Sequence, residues 1–374
     1  MNIMLEKGKI SAGEFQVLVI TYTIGSSILV APSLLAKLSE QDAWLASILT
    51  LLIGIAFVLL YYRLSVLYPA MTFVEYNEKI LGKWFGKLNS LLFLFYFYYL
   101  SSGLLREIGD FLTTQVMVET PIEMIMTLFI IISLFGVKLG LEVICRTALI
   151  FFPWVIVLLF LLLLFLIPEI KIEYIVPIFG AGIKPIMYAA YSNLGLPYLE
   201  LSIFLMITPY VSEIVKVKKA FFMGTLIGGI ILSILILSTI LVLGPDFTQR
   251  NGYPSYILGK KISIGDFLER IEVIVAIIWF FTMYFKLTIC YYGVSLGLAQ
   301  VLGLKNYHIL LYPLAILIIA FSIIAHPDIV HFHHFVAKTW SPYSLTICFF
   351  LPMLLLVIGK LRKKAEASKS FNPY

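Results

Sequence analysis

The sequence has few charged residues, few cysteines and no segment that is both long and polar. Charged side chains make up 13% of its 374 residues, against 61% hydrophobic. A soluble domain carries about 25% charged residues, because its surface must face water. The shortage excludes a separate soluble domain anywhere in the chain. Cys145, Cys290 and Cys348 sit apart in apolar surroundings. Three cysteines cannot make a disulfide framework, and none has metal-ligand spacing. No Ser–His–Asp set, carboxylate pair or metal-ligand pattern has catalytic spacing, so neither an enzyme nor a cofactor is expected. The net charge of +6 resides in loops and the tail, so it is no nucleic-acid footprint. The charged start, 1–13, leads into a hydrophobic span without a small-residue cleavage site. That argues against a removable signal peptide, and the first helix is expected to stay as an anchor.

What the chain has instead is apolar length, with a mean hydropathy of +1.00. A helix needs about 20 apolar residues to cross a bilayer. The pattern predicts an all-α polytopic membrane protein, a single integral membrane domain with ten spans. These are about 12–36, 42–67, 88–117, 121–137, 144–167, 184–209, 217–243, 269–300, 306–325 and 340–360. With both termini inside, the inner segments hold seventeen basic residues and the outer segments eight, while Arg106 and Lys286 fall within spans. Cytoplasmic loops are enriched in Lys and Arg, so both termini are expected in the cytoplasm. Two further stretches lie between spans. Thr72 to Lys87 mixes Phe73, Tyr76, Ile80, Trp84 and Phe85 with charges, as a helix at the inner interface does. Leu243 to Gly265 reads as a long outer loop partly folded over the protein.

Two of the spans are broken. The first contains Gly25-Ser26-Ser27 and then Pro32; the sixth contains Ser192-Asn193-Leu194-Gly195-Leu196-Pro197. Unbonded backbone is costly in hydrocarbon and persists only inside protein or beside a cavity. Breaks in the first and sixth of ten spans divide the chain into opposed halves, about 12–167 and 184–360, and mark the expected solute site. Small residues that only permit tight packing are the alternative for either break alone. A broken helix frees carbonyls on one side and N–H groups on the other. The start of the half-helix near Ser26 suits a carboxylate. The carbonyls near Ala190 and Tyr191 suit an ammonium. Ser26, Ser27, Ser192 and Asn193 could add hydrogen bonds. An amino acid, which has both charges, is the natural ligand.

Charges inside a membrane usually face protein or water and often carry function. Glu200 follows the sixth break by a turn, and Lys286 lies mid-way along the eighth span. Lys286 is expected either to replace a coupling cation or carry a proton, or else to form a static pair with Glu200. Arg106, Glu107 and Asp110 lie in the outer half of the third span, as a structural cluster or an outer gate. Arg106 and Asp110 are one turn apart and can pair. His326, His331, His333 and His334 crowd an outer loop; zinc binding or pH sensing is the alternative, but the spacing fits no metal motif and incidental placement is expected.

The residues resemble those of a family. Lys9 to Gln16 followed by Ile24-Gly25-Ser26-Ser27-Ile28-Leu29 resembles the opening of the spore germination permeases, the B subunits of nutrient germinant receptors. Leu105 to Asp110 with Glu119-Thr120-Pro121, Gly140 to Arg146, Tyr198 to Tyr210, and Lys286 with Gly297 to Gln300 extend the resemblance along nearly the whole chain. It implies the amino acid–polyamine–organocation superfamily, with its LeuT-like five-plus-five inverted repeat. It also implies a sensor in the inner membrane of a bacterial endospore, working with an A subunit and a C lipoprotein. By that resemblance the pocket lies between the first, third, sixth and eighth spans. Its expected residues are Thr23, Ile24, Gly25, Ser26, Ser27, Tyr98, Tyr191, Ser192, Asn193, Leu194, Gly195 and Leu196. A transporter completing alternating access is the second reading, and a scaffold with an unused pocket the third.

Overall fold

The structure is a computed structural model, and it describes residues 6, 8–180, 182–261 and 271–370, with side chains described as far as 364. Lys7, Gly265 and Arg270, used above for charge and loop, lie outside the described residues, as does the side chain of Lys369. The described residues form helices and connecting turns, with one isolated bridge between Ile10 and Val211 and no strand.

The helices run in order α1 (Ala12–Ile24), α2 (Ser27–Ser39), α3 (Ala43–Leu67), α4 (Phe73–Leu81), α5 (Lys83–Gln115), α6 (Ile122–Leu139), α7 (Leu141–Leu166) and α8 (Ile183–Asn193). They continue as α9 (Ile214–Leu243), α10 (Pro245–Arg250), α11 (Pro254–Lys261), α12 (Glu272–Leu302), α13 (Leu311–Ala325), α14 (Ile329–Phe335), α15 (Ser341–Ser344) and α16 (Leu351–Ser370). α1 begins at a capping box. The Glu14 N–H donates to Ser11 Oγ (3.2 Å), and the Ser11 N–H donates to Glu14 Oε2 (2.6 Å).

Eight helical stretches of the described residues are long and apolar enough to cross a membrane, against ten expected. The difference falls at the broken spans. α1 has 13 residues and α8 has 11, each too short to cross alone. α2 and α3 merge into one stretch, Ser27–Leu67, and beyond α8 the chain continues as tighter 3-10 turns, Leu199–Met206 and Thr208–Tyr210.

The last span starts earlier than its hydropathy suggests. Asp328 caps α14, its Oδ1 accepting from the His331 N–H at 2.8 Å. Two π-helical stretches, Val336–Trp340 and Leu345–Phe350, carry the chain through α15 to α16. His331, His333 and His334 therefore lie on a helix and not in a loop. In the stretch 73–85, α4 packs on α5 with Phe73, Tyr76 and Ile80 buried, while Lys79, Lys83, Trp84 and Phe85 are exposed. The described part of the stretch expected as an outer loop, 243–261, does fold over the protein. α10 and α11 pack on α2, where Ser255 Oγ donates to Ile28 O at 2.6 Å. That carbonyl is free because Pro32, four residues on, has no N–H.

α3 packs on α9, α5 on α12, and α2 on α8. These are the second, third and first spans against the seventh, eighth and sixth. At one end, the Ile10 N–H donates to Tyr210 O (3.0 Å) and the Ser212 N–H donates to Ile10 O (2.9 Å). Thr72 donates to Gln300 there (2.8 Å), and Arg362 Nη1 to Lys79 O (3.5 Å). At the other end, Gln41 reaches Pro177 O (2.9 Å) and Arg106 reaches Pro327 O (3.4 Å). Segments assigned to one side by the sequence thus meet each other.

Candidate functional site

α1 ends at Gly25 and α2 begins at Ser27, while the sixth span opens between α8 and Leu199. The fully buried side chain of Lys286, on α12, runs into the gap between them. Its Nζ lies 2.7 Å from Glu200 Oε2, and donates to Ser26 Oγ (2.8 Å) and to Leu196 O (3.0 Å). The ammonium also stands 5.3 Å from the centre of the Tyr22 ring. Glu200 Oε1 accepts from Trp340 Nε1 at 2.8 Å. One ammonium therefore joins the first break, the sixth break and the eighth helix.

The glycines of the breaks follow from this closeness. A Cβ on Gly25 would stand 2.5 Å from Lys286 Cδ and 2.9 Å from Tyr22 O. A Cβ on Gly195 would stand 2.8 Å from Ser341 Oγ and 2.9 Å from Trp340 Cδ1.

The carbonyls expected to await an ammonium are taken by the protein. Ala190 O accepts from Thr50 (3.3 Å), Tyr191 O from the Leu194 N–H (3.2 Å), and Asn193 O from the Leu196 N–H (3.2 Å). Ser341 Oγ donates to Ser192 O and accepts from the Gly195 N–H (3.1 Å). Groups with no water to bond are satisfied by neighbours wherever a neighbour can reach.

Beside the ion pair lies a cavity of about 30 Å³, lined by Ser26, Leu196, Glu200, Tyr99, Glu107, His326 and Trp340 among others. That is room for a few waters. Ser27 Oγ, Glu107 Oε1, Asn193 Oδ1 and His326 Nδ1 are buried without hydrogen-bond partners.

The expected residues divide. Ser26, Leu196, Glu200 and Lys286 converge. Gly25, Ser192 and Gly195 shape the breaks. Thr23 donates to Val19 O (2.8 Å) and packs toward Gly228, and Ile24 is buried beside it. Tyr98 points elsewhere: its hydroxyl donates to Leu317 O (2.9 Å), and the next residue, Tyr99, lines the cavity. A helix turns by 100° per residue, so sequence position alone did not decide between them. Tyr191 is 38% exposed and stacks on Tyr188. Arg106 Nε donates to both Asp110 carboxylate oxygens (3.0 Å each), leaving Glu107 facing the cavity. The sequence reading missed Trp340, Ser341 and Tyr99. The polar Ser341 beside Pro342 in an apolar span was the available signal.

His326 is buried against Tyr99, Phe332 and Phe335, and His331 lies near its ring. Burial first, then the nearby His331 and Arg106, lowers its pKa to about 4. Among the described residues, no group of three or more His, Cys, Asp or Glu side chains is placed to hold a metal ion.

A family model described as "Spore germination protein" matches residues 9–330. Spore germination protein KB of Bacillus subtilis (strain 168) is 28% identical over 370 residues, covering 98% of each chain. Among solved structures, Mhp1, a nucleobase-cation-symport-1 family transporter in a closed conformation with bromovinylhydantoin bound, superposes with TM-score 0.67. It shares 10% identity and covers 96% of this chain and 92% of its own. MhsT in complex with L-phenylalanine superposes with TM-score 0.62 at 14% identity, covering 94% and 99%. These two likenesses establish a LeuT-type transporter fold.

Proposed function

This chain belongs to the spore germination protein family, and on that premise we propose that it senses a nutrient germinant, an amino acid, from within a transporter-like fold. Its place is the inner membrane of the endospore, with both termini on the core side. It works there with A and C subunits of a receptor, as a binding protein and not an enzyme. Its two opposed repeats, about 12–167 and 184–360, put the site at their interface.

One observation carries the reading: Lys286 holds both helix breaks to α12 through Glu200, Ser26 and Leu196. Alternating access requires the broken helices to move against their neighbours. A buried ion pair with two further hydrogen bonds opposes that motion, because separating it leaves charges unpaired in a dry interior. The cavity beside it is also too small for an amino acid, which has at least five heavy atoms. A ligand entering must widen it, and so favours a different arrangement of the breaks. A ligand shifts an equilibrium only by binding one state better than the other.

The test has two arms. Spores lacking this chain are expected to lose their response to one nutrient and keep the others. Purified protein in proteoliposomes is expected to bind that nutrient without accumulating it. Saturable, accumulating uptake would establish the transporter instead.

A further inference from the structure

Five charged side chains lie in and around the cavity region: Arg106, Glu107, Asp110, Glu200 and Lys286. Arg106 pairs with Asp110, and Lys286 with Glu200. Glu107 forms no ion pair among the described residues, though it is 3% exposed, and its Oε1 has no hydrogen-bond partner. It lines the same cavity as Ser26 and Leu196. His326 lines the same space, 1% exposed, with Nδ1 unpartnered. The break carbonyls offer no alternative receptor, since Thr50, Ser341, Lys286 and the chain's own N–H groups occupy them.

A buried carboxylate without a partner is costly, and a cation supplies what it lacks. We propose that Glu107 receives the primary ammonium of the ligand, with His326 Nδ1 as a second acceptor, while the ligand's carboxylate turns to Ser26 and Ser27 at the start of α2. Burial holds His326 neutral above pH 5, which leaves one ring nitrogen able to accept. Ser27 Oγ, at the first position of α2 next to the cavity-lining Ser26, is itself without a partner. The remaining walls, Tyr99, Leu104, Phe332, Phe335 and Trp340, are apolar or aromatic. The ligand class is an α-amino acid with a compact apolar side chain. This deepens the amino-acid reading and rests on it.

The experiment uses the full chain in lipid nanodiscs. The twenty amino acids are screened by thermal shift, and the tightest binder is compared with its deaminated acid and its decarboxylated amine. The wild-type protein is expected to bind an apolar amino acid at least tenfold more tightly than the deaminated acid. Glu107→Gln, which keeps the shape, is expected to bring the two within about threefold, because the charge-assisted bond is gone. Glu107→Asp keeps the charge and is expected to retain part of the preference, which guards against misfolding of the first variant. Full wild-type preference in Glu107→Gln overturns the assignment of Glu107 and leaves the sensor reading standing. A wild-type protein that binds none of the twenty overturns both.

Discussion

Lys286 and Glu200 are legible in the sequence as charges in apolar spans, and their pairing across 86 positions is a property of the fold. Removing one member of a buried pair costs about 3–5 kcal/mol, because its partner stays charged and dry. Lys286→Met is therefore expected to lower the melting temperature in detergent strongly. The double variant Lys286→Met, Glu200→Leu is expected to recover most of that loss but not the nutrient response. Recovery of the response would relegate the pair to packing. Gly25→Ala tests the gap from the other side. Its methyl must displace Lys286 from Ser26 and Leu196, so ligand response should fall at least tenfold with the protein still in the membrane. His326 has a direction with pH. Its folded pKa, about 4, lies below the ordinary 6.5, so protonation favours the unfolded chain. Its contribution to stability is complete above pH 6.5, declines as the pH falls toward 4, and is constant below. Melting of His326→Gln should be flatter than wild type across that window.

At the scale of elements, the breaks were legible and their satisfaction was not. Gly25-Ser26 and Asn193 to Pro197 announce interrupted helices by composition. Nothing local says that Ser341, some 150 positions away, ties the second break by donating to Ser192 O and accepting from Gly195. Ser341→Ala leaves two buried backbone groups unbonded and should cost about 1–3 kcal/mol, read as a lowered melting temperature. Ser255→Ala, which frees Ile28 O beneath α11, should act in the same direction. The tenth span shows the opposite failure. His326 to His334 look like a polar loop, yet Asp328 caps a helix there. Hydropathy hid what capping chemistry could have indicated. Tyr98 and Tyr99 were equally placed in the sequence, and only helix rotation set Tyr99 toward the cavity.

For the whole molecule, the cavity reaches the breaks from the His326 end, while at the opposite end backbone bonds join Ile10 to Tyr210 and Ser212. Ile10→Pro removes the N–H that Tyr210 O accepts. Hydrogen exchange at Ser212 should then rise, and spores carrying it should germinate more readily without nutrient. Unchanged exchange would mean the two segments stay together by other contacts.

The sequence by itself determined the solvent, the approximate spans, the two breaks and the family, because each is written in composition or in local motifs. Apolar runs must be helical in lipid, whatever they pack against. It did not determine which groups the breaks face. That rested on helix rotation and on partners more than 80 residues apart, such as Lys286 with Leu196. Only the packed structure showed that the protein's own ammonium fills the gap between the breaks, and that Glu107 beside it has no ion-pair partner among the described residues.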